Sequence, residues 1–254
     1  MTDVVKTEAS EGVLVITIDR PEARNAVNEA VAAAIGVALD RLDSDPSLSV
    51  GIVTGAGGHF CAGMDLKAFV KGELPMVPGR GFAGIAERSS TKPVIAAVEG
   101  YALAGGFEIV LACDLIVAAR SAAFGLPEVK RSLVAAGGGL LRLQRRIPFH
   151  QAMELALVGN HIGAERMYDF GLLNRLVDDG QALVAARDLA TAIAANGPLA
   201  LKATKEIIVS SADWSSDEQF ARQNVIADPI ARSVDAREGA TAFAEKRAPV
   251  WTGS

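Results

Sequence analysis

Residues 101–114, YALAGGFEIVLACD, place the carboxylate of Glu108 among apolar residues, directly after a Gly-Gly pair. Gly105 and Gly106 let the backbone approach a ligand closely, and the apolar run behind them predicts a helix whose first N–H groups point at that ligand. A lone Glu is more commonly found on the solvated face of a surface helix, but the apolar neighbours here leave little room for such a face. The stretch therefore predicts a buried acid beside an anion-binding helix start.

Strand and helix patterns alternate on both sides of this stretch. Apolar strands are predicted at residues 13–19, 49–54, 93–98, 114–118 and 173–177, and an Ala-rich helix capped by Asn28 at 28–42. Continuously apolar strands separated by helices favour parallel pairing through right-handed crossovers, which gives an α/β core. From about residue 181 the pattern is helical, with predicted helices at 181–195, at 199–210, after 216 and after 238. We therefore predict a core with the active site over residues 1–180 and a helical oligomerisation region over 181–254.

The composition fits a globular enzyme with a large core. Half of the 254 residues are hydrophobic and only 5% are aromatic, so Ala, Val, Leu and Ile must form most of that core. The formal net charge is -5 and the basic residues are scattered, which gives no reason to expect a nucleic-acid partner. Cys61 and Cys113 lie in apolar stretches without metal-ligand spacing, so we predict buried thiols, no metal site and a reducing, cytoplasmic location.

The chain shows no signal for export or membrane insertion. Residues 1–12 are polar and lack the basic and then apolar pattern of a secretory signal. The best membrane candidate, residues 101–119, contains Glu108 and Asp114, each of which would cost roughly 3 kcal/mol in a bilayer. We therefore expect no membrane partner. The Gly- and Pro-rich residues 71–84 predict a loop that could act as a flap near the site.

Two glycine-rich loops follow predicted strands, at residues 55–65 and 99–106. In an open α/β core, ligands bind where the carboxyl ends of strands meet helix starts, which is where these loops lie. The first loop lacks the last glycine of a dinucleotide fingerprint, no Lys-Ser/Thr follows it, and the chain has no G-x-S-x-G elbow. These absences count against NAD, ATP and serine hydrolase chemistry. A plain turn between strand and helix remains the other interpretation of residues 55–65.

A second carboxylate, Glu128, follows a proline in the motif FGLPE. Acids near strand ends are mostly solvated, so Glu128 alone does not indicate a site. Two carboxylates that face one pocket can hold a water between them, one accepting its proton while the other gives a proton to the substrate. Glu108 and Glu128 together therefore predict acid–base chemistry.

These motifs together resemble the crotonase family, also called the enoyl-CoA hydratase/isomerase superfamily, over nearly the whole chain. The stretches that carry the resemblance are RPEARNAV (20–27), TGAGGHFCAGMDLKAF (54–69), KPVIAAVEGYALAGGFEIVLACDLIVA (92–118), FGLPE (124–128) and EGATAFAEKRAPVW (238–251). The GGFE and AFAEKRAPVW segments are similar to carnitinyl-CoA dehydratase-like and steroid side-chain hydratase-like branches in particular. The resemblance implies a spiral of ββα turns with a carboxy-terminal helical trimerisation region, assembled as a homotrimer or a dimer of trimers.

The resemblance also implies a role for individual residues. The oxyanion hole would be the backbone N–H groups of Met64 and Gly105, and the hydratase carboxylates would be Glu108 and Glu128. The implied CoA contacts are Arg24, Ala62, Met64, Asp65, Leu66, Lys67 and Gly105, together with Phe243 and Lys246 of a neighbouring subunit. Lys246, in the sequence AEKR, would equally well be an ordinary solvated charge on a helix.

The implied activity is that of an enoyl-CoA hydratase, a hydro-lyase that adds water across the 2,3 double bond of a 2-enoyl-CoA. CoA is part of the substrate, and no cofactor is expected. A double-bond isomerase, a specialised hydroxyacyl-CoA dehydratase of the carnitinyl type and a non-catalytic acyl-CoA-binding protein remain alternatives. Two departures from the family pattern bear on them: residues 132–136 replace a Gly-x-x-Pro-Gly run, and Ala104 replaces a glycine. Acyl length and shape are left open.

Overall fold

The structure, a computed structural model, describes residues 4–254. Its helices and strands in chain order are β1 (Val5–Ser10), β2 (Val13–Ile18), α1 (Glu29–Ser44), β3 (Val50–Gly55), α2 (Leu66–Val70), β4 (Met76–Val77), β5 (Gly81–Phe82), β6 (Val94–Val98), β7 (Tyr101–Leu103), α3 (Gly105–Ala112), β8 (Leu115–Ala119), β9 (Ala123–Gly125), α4 (Gly139–Leu143), α5 (Phe149–Val158), β10 (Ile162–Gly163), α6 (Ala164–Asp169), β11 (Arg175–Val177), α7 (Ala182–Ala194), α8 (Pro198–Ser211), α9 (Gln219–Ala231) and α10 (Val234–Glu245). Short 3-10 helices lie at Pro21–Ala23 and Pro127–Arg131.

A six-stranded sheet with the order β1-β2-β3-β6-β8-β11 forms the centre of the protein. All its pairs are parallel except β1 with β2. The five predicted strands become β2, β3, β6, β8 and β11, each within two residues of its predicted bounds. The prediction of an α/β core with parallel pairing is therefore confirmed. β1 was not predicted, because all of its residues after Val5 are exposed and give no apolar pattern.

The sheet is buried on both faces. On one face α1 packs its buried stripe, which includes Ile35, Leu39 and Leu42, and Asn28 caps this helix by accepting a hydrogen bond from the Val31 N–H. On the other face α7 packs Ala186 and Ala190 against the strands. α7 thus belongs to the same packed layers as the sheet, although it lies in the predicted helical region. The division of the chain at residues 180 and 181 stays a prediction, and residues 1–3 lie outside the described part.

A small second sheet, with the order β10-β9-β7, positions the two glutamates predicted to act together. β7 and β9 pair in parallel, with Leu103 opposite Gly125, and the Ala104 N–H donates to the Gly125 carbonyl at 2.8 Å. β7 leads directly into α3, which carries Glu108, and β9 leads into the 3-10 helix that carries Glu128. Because the two strands are parallel neighbours, their carboxyl ends place the two glutamates side by side.

The last helices complete the chain. α8 extends one residue beyond each end of the helix predicted at 199–210, and α9 lies after 216 as expected. α10 begins four residues before 238 because Ser233 caps it, its hydroxyl accepting from the Ala236 N–H at 3.0 Å. The predicted loop at 71–84 contains the two-residue strands β4 and β5, which pair with each other. No helix within residues 4–254 combines the length and the apolar character needed to cross a membrane.

Candidate active site

Glu108 is buried, as its sequence context predicts. It lies in α3 with only 4% of its surface exposed, and its Oε1 accepts a hydrogen bond of 2.9 Å from the Gly139 N–H. Burial raises the pKa of the Glu108 carboxyl, and the N–H groups of Gly139 and Gly137 oppose that rise because they stabilise the charged form. Glu108 is therefore a carboxylate that is held in place and shielded from solvent.

Glu128 lies in the 3-10 helix Pro127–Arg131, where Pro127 fixes the first turn. Burial raises the pKa of Glu128 to about 7, and the charge of Glu108 adds to that rise. Its Oε2 is buried and has no hydrogen-bond partner among residues 4–254. A buried oxygen without a protein partner is expected to bind water or a ligand. The two glutamates are thus electrostatically coupled, and one of them has an oxygen available to a third molecule.

The loop at residues 55–65 brings Met64 next to Gly105. The Cys61 N–H donates to the Tyr101 carbonyl, and the Leu103 N–H donates to the Cys61 carbonyl, so this loop runs alongside β7. A Cβ added at Gly63 would lie only 3.2 Å from the Gly105 nitrogen. Within the described part of the chain, neither the Met64 N–H nor the Gly105 N–H donates to another protein group. Adjacent free N–H groups of this kind can stabilise an oxyanion.

The segment predicted as a flap reaches this place. The ring of Phe82 in β5 is buried against Gly105, where an added Cβ would come within 2.4 Å of Cζ. Phe82 of the predicted flap thus lies at the site, and Gly105 is required for the close approach of its ring.

A buried network fixes the loop that should bind CoA. Asp65 caps α2 by accepting from the Lys67 and Ala68 N–H groups at 3.0 and 3.2 Å, and Arg20 pairs with its other oxygen at 3.0 Å. Burial alone would raise the pKa of Asp65, but these hydrogen bonds and the charge of Arg20 hold it below its usual value. Asn25, fully buried, donates to the carbonyls of Ala56 and His59. Asp65 therefore holds the end of this loop and the start of α2 together, and the α2 residues Leu66 and Lys67 remain exposed.

Arg24, which follows the 3-10 helix Pro21–Ala23, lies beside Ala62 of this loop. The Ala62 N–H donates to the Arg24 carbonyl at 3.0 Å, and the exposed Arg24 guanidinium lies 5.7 Å from the centroid of the Tyr101 ring. Two further residues expected to contact CoA lie far along the chain. Phe243 is 87% exposed on α10, and Lys246 is exposed at the end of that helix. The expected contacts of these residues with CoA stay predictions.

The sequence interpretation missed the residues that hold Glu108. It assigned no role to Gly137–Gly139, which follow the departure from the family pattern at residues 132–136, whereas a Cβ at position 137 or 139 would lie 2.7 or 2.9 Å from the Glu108 side chain. Arg142, half-buried, braces this loop by donating to the carbonyls of Gly137 and Ala86. The run of three glycines could have indicated a close backbone approach at this point, but nothing in the sequence shows that the side chain it approaches is Glu108.

The buried Glu108 and the half-buried Glu128, beside paired free N–H groups, form a site suited to acid–base chemistry next to a polarised carbonyl group. Among the described residues, no three His, Cys, Asp or Glu side chains are grouped so that they could hold a metal ion.

Comparisons with known proteins agree with this class of site. The model of the enoyl-CoA hydratase/isomerase family matches residues 8–254. The crystal structure of enoyl-CoA hydratase EchA1 from Mycobacterium marinum superposes with a TM-score of 0.98 at 61% identity, covering 99% of this chain and 100% of that one. Enoyl-CoA hydratase EchA19 from Mycobacterium tuberculosis is 46% identical over 93% of this chain and 91% of its own length. Carnitinyl-CoA dehydratase from Salmonella typhi is 43% identical, over 95% of both chains.

The chain therefore belongs to the enoyl-CoA hydratase/isomerase family, as its motifs predicted. The crotonase-like α/β fold is confirmed by the same structural match, and both the hydratase and the carnitinyl-CoA dehydratase resemblances are found among its relatives. The family and the names of these relatives support the predicted enzyme class, a hydro-lyase.

Proposed function

We propose that the protein catalyses the reversible addition of water across the 2,3 double bond of a 2-enoyl-CoA thioester, which gives a 3-hydroxyacyl-CoA. The observation that carries this proposal is the pair Glu108 and Glu128, both with raised pKa, with the buried Oε2 of Glu128 free of any partner among the described residues. Such a pair suits a reaction that takes one proton from water and gives another to carbon.

The two carboxylates differ in a way that suggests their roles. Hydrogen bonds from the backbone favour the charged form of Glu108, so it is the better proton acceptor, and Glu128, with a pKa of about 7, is the better donor. In hydration the water oxygen bonds to C3, a water proton moves to Glu108, and the Glu128 proton moves to C2. As the water oxygen bonds to C3, the electrons of the double bond move towards the thioester oxygen and give an enolate-like species, which the N–H groups of Met64 and Gly105 stabilise. The same electrons then form the C2–H bond with the Glu128 proton. The reaction leaves the pair with the one proton it began with.

The same proposal includes how the substrate is held. Arg24, Ala62 and the segment 64–67 would bind the CoA part, with Phe243 and Lys246 reaching it from a neighbouring subunit of a homotrimer or a dimer of trimers. The exposed apolar side chains on the last helices, among them Phe220, Val225 and Phe243, support association of subunits there. No cofactor takes part in this scheme. The buried thiols Cys61 and Cys113 support a cytoplasmic location.

The test is the loss of enoyl-thioester absorbance with crotonyl-CoA and with a longer-chain enoyl-CoA, with products identified by mass. We expect a 3-hydroxyacyl-CoA from the wild type and a rate lower by about a hundred- to ten-thousandfold in Glu108→Gln and in Glu128→Gln. Glu154→Gln, an exposed glutamate on α5, is the matched control and should leave the rate unchanged. CoA binding without any water adduct would instead indicate a non-catalytic acyl-CoA-binding protein.

A specialised dehydratase is the second candidate, because a relative that is 43% identical is named carnitinyl-CoA dehydratase. It would use the same carboxylates in the reverse direction on a hydroxyacyl-CoA with a functionalised acyl group. Comparison of rates with simple and functionalised hydroxyacyl-CoA substrates separates the two candidates. A product with a moved double bond and no hydroxyl group would indicate an isomerase.

A further inference from the structure

Arg142 lies close to the glutamate pair but makes no ion pair of its own. It is half-buried on α4, and its guanidinium donates to two backbone carbonyls, those of Ala86 and of Gly137, the second at 3.4 Å. Among the described residues, no carboxylate lies within ion-pair distance of it. Taking a charged guanidinium out of water is unfavourable unless a negative charge nearby compensates for it. A carboxylate slightly further away is therefore expected to be its counterpart.

Glu108 is that carboxylate, and the three glycines at 137–139 lie between it and Arg142. A Cβ added at either of the outer glycines would meet the Glu108 side chain, whereas a Cβ added at Gly138 would meet Nη1 of Arg142. The glycines thus form a thin wall, with the carboxylate on one side and the guanidinium on the other. Because no side chain separates the two groups, the positive charge of Arg142 acts on Glu108 across a single layer of backbone.

The guanidinium is fixed in place by its contacts. A side chain on a helix leans towards the start of that helix, so Arg142 reaches back over the glycine that precedes α4. Its second anchor, Ala86, ends a turn that begins at Phe82, where the Ala86 N–H donates to the Phe82 carbonyl at 3.1 Å. The ring of Phe82 in turn lies against Gly105. Arg142 therefore joins the loop beside Glu108 to the part of the site that carries the free N–H groups.

The charges around the glutamate pair are unevenly placed. Burial raises the pKa of Glu108, and the backbone N–H groups at 139 and 137 and the charge of Arg142 oppose that rise. Burial also raises the pKa of Glu128, and the charge of Glu108 adds to that rise. These contributions make the single proton of the pair more stable on Glu128 than on Glu108. The other titratable groups that act on these three residues or on which Arg142 acts are Arg131, Cys113 and Arg146.

We propose that Arg142 is a positioning residue of the reaction, which holds the glycine loop against Glu108 and keeps the single proton of the pair on Glu128. Glu108 then stays charged and can accept the proton of water, while Glu128 keeps the proton that goes to C2. Arg142 touches no reacting atom and acts through Glu108. This inference rests on the proposed hydratase function.

Arg142→Gln and Arg142→Lys separate the two parts of this role. Gln can donate to a carbonyl but has no charge, whereas Lys keeps the charge but has a single nitrogen. Arg142→Gln should lower kcat by about ten- to a hundredfold and change KM by less than about twofold. Its profile of kcat/KM should move to higher pH, so that the loss at about pH 5.5 exceeds the loss at about pH 8 by about threefold or more. Arg142→Lys should keep the pH profile of the wild type and lose less than about tenfold in kcat.

Arg145→Gln is the matched control for the loss of a positive charge. Arg145 lies three residues further along the chain, is exposed and pairs with Asp213 at 3.9 Å. Its replacement should leave kcat and the pH profile unchanged. If Arg142→Gln does not fold, Arg142→Met, which fills a similar volume without a charge, takes its place. An unchanged kcat in the neutral variant, or a loss that is equal at every pH and is not recovered by Lys, would overturn the inference.

An infrared titration tests the same inference without turnover. As pH is lowered, the band of the protonated Glu108 carboxyl, identified by its absence in Glu108→Gln, should appear at a higher pH in Arg142→Gln than in the wild type and in Arg142→Lys. This result would support the role of Arg142 even if no enoyl-CoA were hydrated, an outcome that would refute only the proposed function. Appearance of the band at the same pH in all three proteins would show that Arg142 does not control the charge of Glu108.

Discussion

The Gly139 N–H donates a hydrogen bond of 2.9 Å to Oε1 of Glu108, and the contact exists because position 139 has no Cβ. An added Cβ would lie 2.9 Å from Cγ and 3.0 Å from Oε1 of Glu108. Gly139 is thus both the hydrogen-bond partner of the buried carboxylate and the residue that leaves room for it. The position of the Glu108 carboxyl thus depends on a backbone group 31 residues further along the chain.

Gly139→Ala should displace the Glu108 carboxyl and lower kcat for hydration by about a hundredfold, with a smaller effect on KM. Overpacking of the buried site should also lower the free energy of unfolding by about 1 to 3 kcal/mol. Steady-state kinetics and urea denaturation measure the two effects. Gly163→Ala is the control, because a Cβ there meets nothing within 4 Å and its φ of -75° suits alanine. Equal kinetics in the two variants would contradict the role of Gly139.

The rate of hydration should fall as pH rises through about 7, because the reaction needs one proton on the glutamate pair and Glu128 loses it with a pKa of about 7. The same limb should occur in the dehydration direction, since the pair carries one proton before and after the reaction. A profile of kcat/KM against pH measures this, and the limb should be absent from the residual activity of Glu128→Gln. A wild-type rate that stays constant well above pH 7 would contradict the assignment of Glu128 as proton donor.

The raised pKa of Glu128 also has a consequence for stability. A carboxyl with a folded-state pKa above its ordinary value of 4.5 stabilises the fold while protonated, and this contribution is lost as pH rises through about 7. Glu128→Gln stays uncharged, so its Tm should exceed that of the wild type more at about pH 8.5 than at about pH 5.5. The difference in Tm between the two proteins should therefore change with pH in a single direction.

Ala104→Gly should stabilise the protein. Ala104 has φ 51° and ψ -129°, a conformation that glycine adopts freely and that costs other residues about 1 to 3 kcal/mol. Glycine loses about 0.5 to 1 kcal/mol through its greater freedom in the unfolded chain, so we expect a net gain of about 1 kcal/mol in the free energy of unfolding. Ala102→Gly, in the buried centre of β7, is the control and should destabilise the protein. A loss of stability in both variants would show that the backbone at position 104 carries no strain.

Tyr101→Leu should weaken binding of the CoA part without changing the chemical step. The ring lies 5.7 Å from the Arg24 guanidinium and stacks on His59 at 4.7 Å, so it connects Arg24 with the loop at residues 55–65. Loss of a cation–π contact should raise KM for an enoyl-CoA by about two- to fivefold and leave kcat unchanged.

A substrate without the nucleotide gives the contrast for this prediction. KM for the corresponding enoyl-pantetheine thioester, which lacks the phosphates that Arg24 should bind, is expected to be the same in wild type and Tyr101→Leu. Tyr168→Leu, at an exposed tyrosine on α6, is the matched control. An equal rise in KM for both thioesters would show that Tyr101 acts elsewhere in the site.

Much of the framework could be predicted from sequence because its signals are local. β2, β3, β6 and β8 are apolar runs whose burial on both faces follows from their composition, and Asn28 marks the start of α1. The short strands β7, β9 and β10 have three residues or fewer, so they carry no periodic pattern. They became recognisable only through their pairing with one another.

The sequence by itself determined the family, the parallel α/β core and the two candidate acids, because these depend on local composition and on motifs within continuous stretches. Only the tertiary structure decided how these acids behave. The parallel pairing of β7 with β9 sets Glu108 beside Glu128, and the distant Gly139 supplies the N–H that Glu108 accepts. Desolvation and hydrogen bonding control pKa, and both depend on which atoms surround a group in space rather than along the chain.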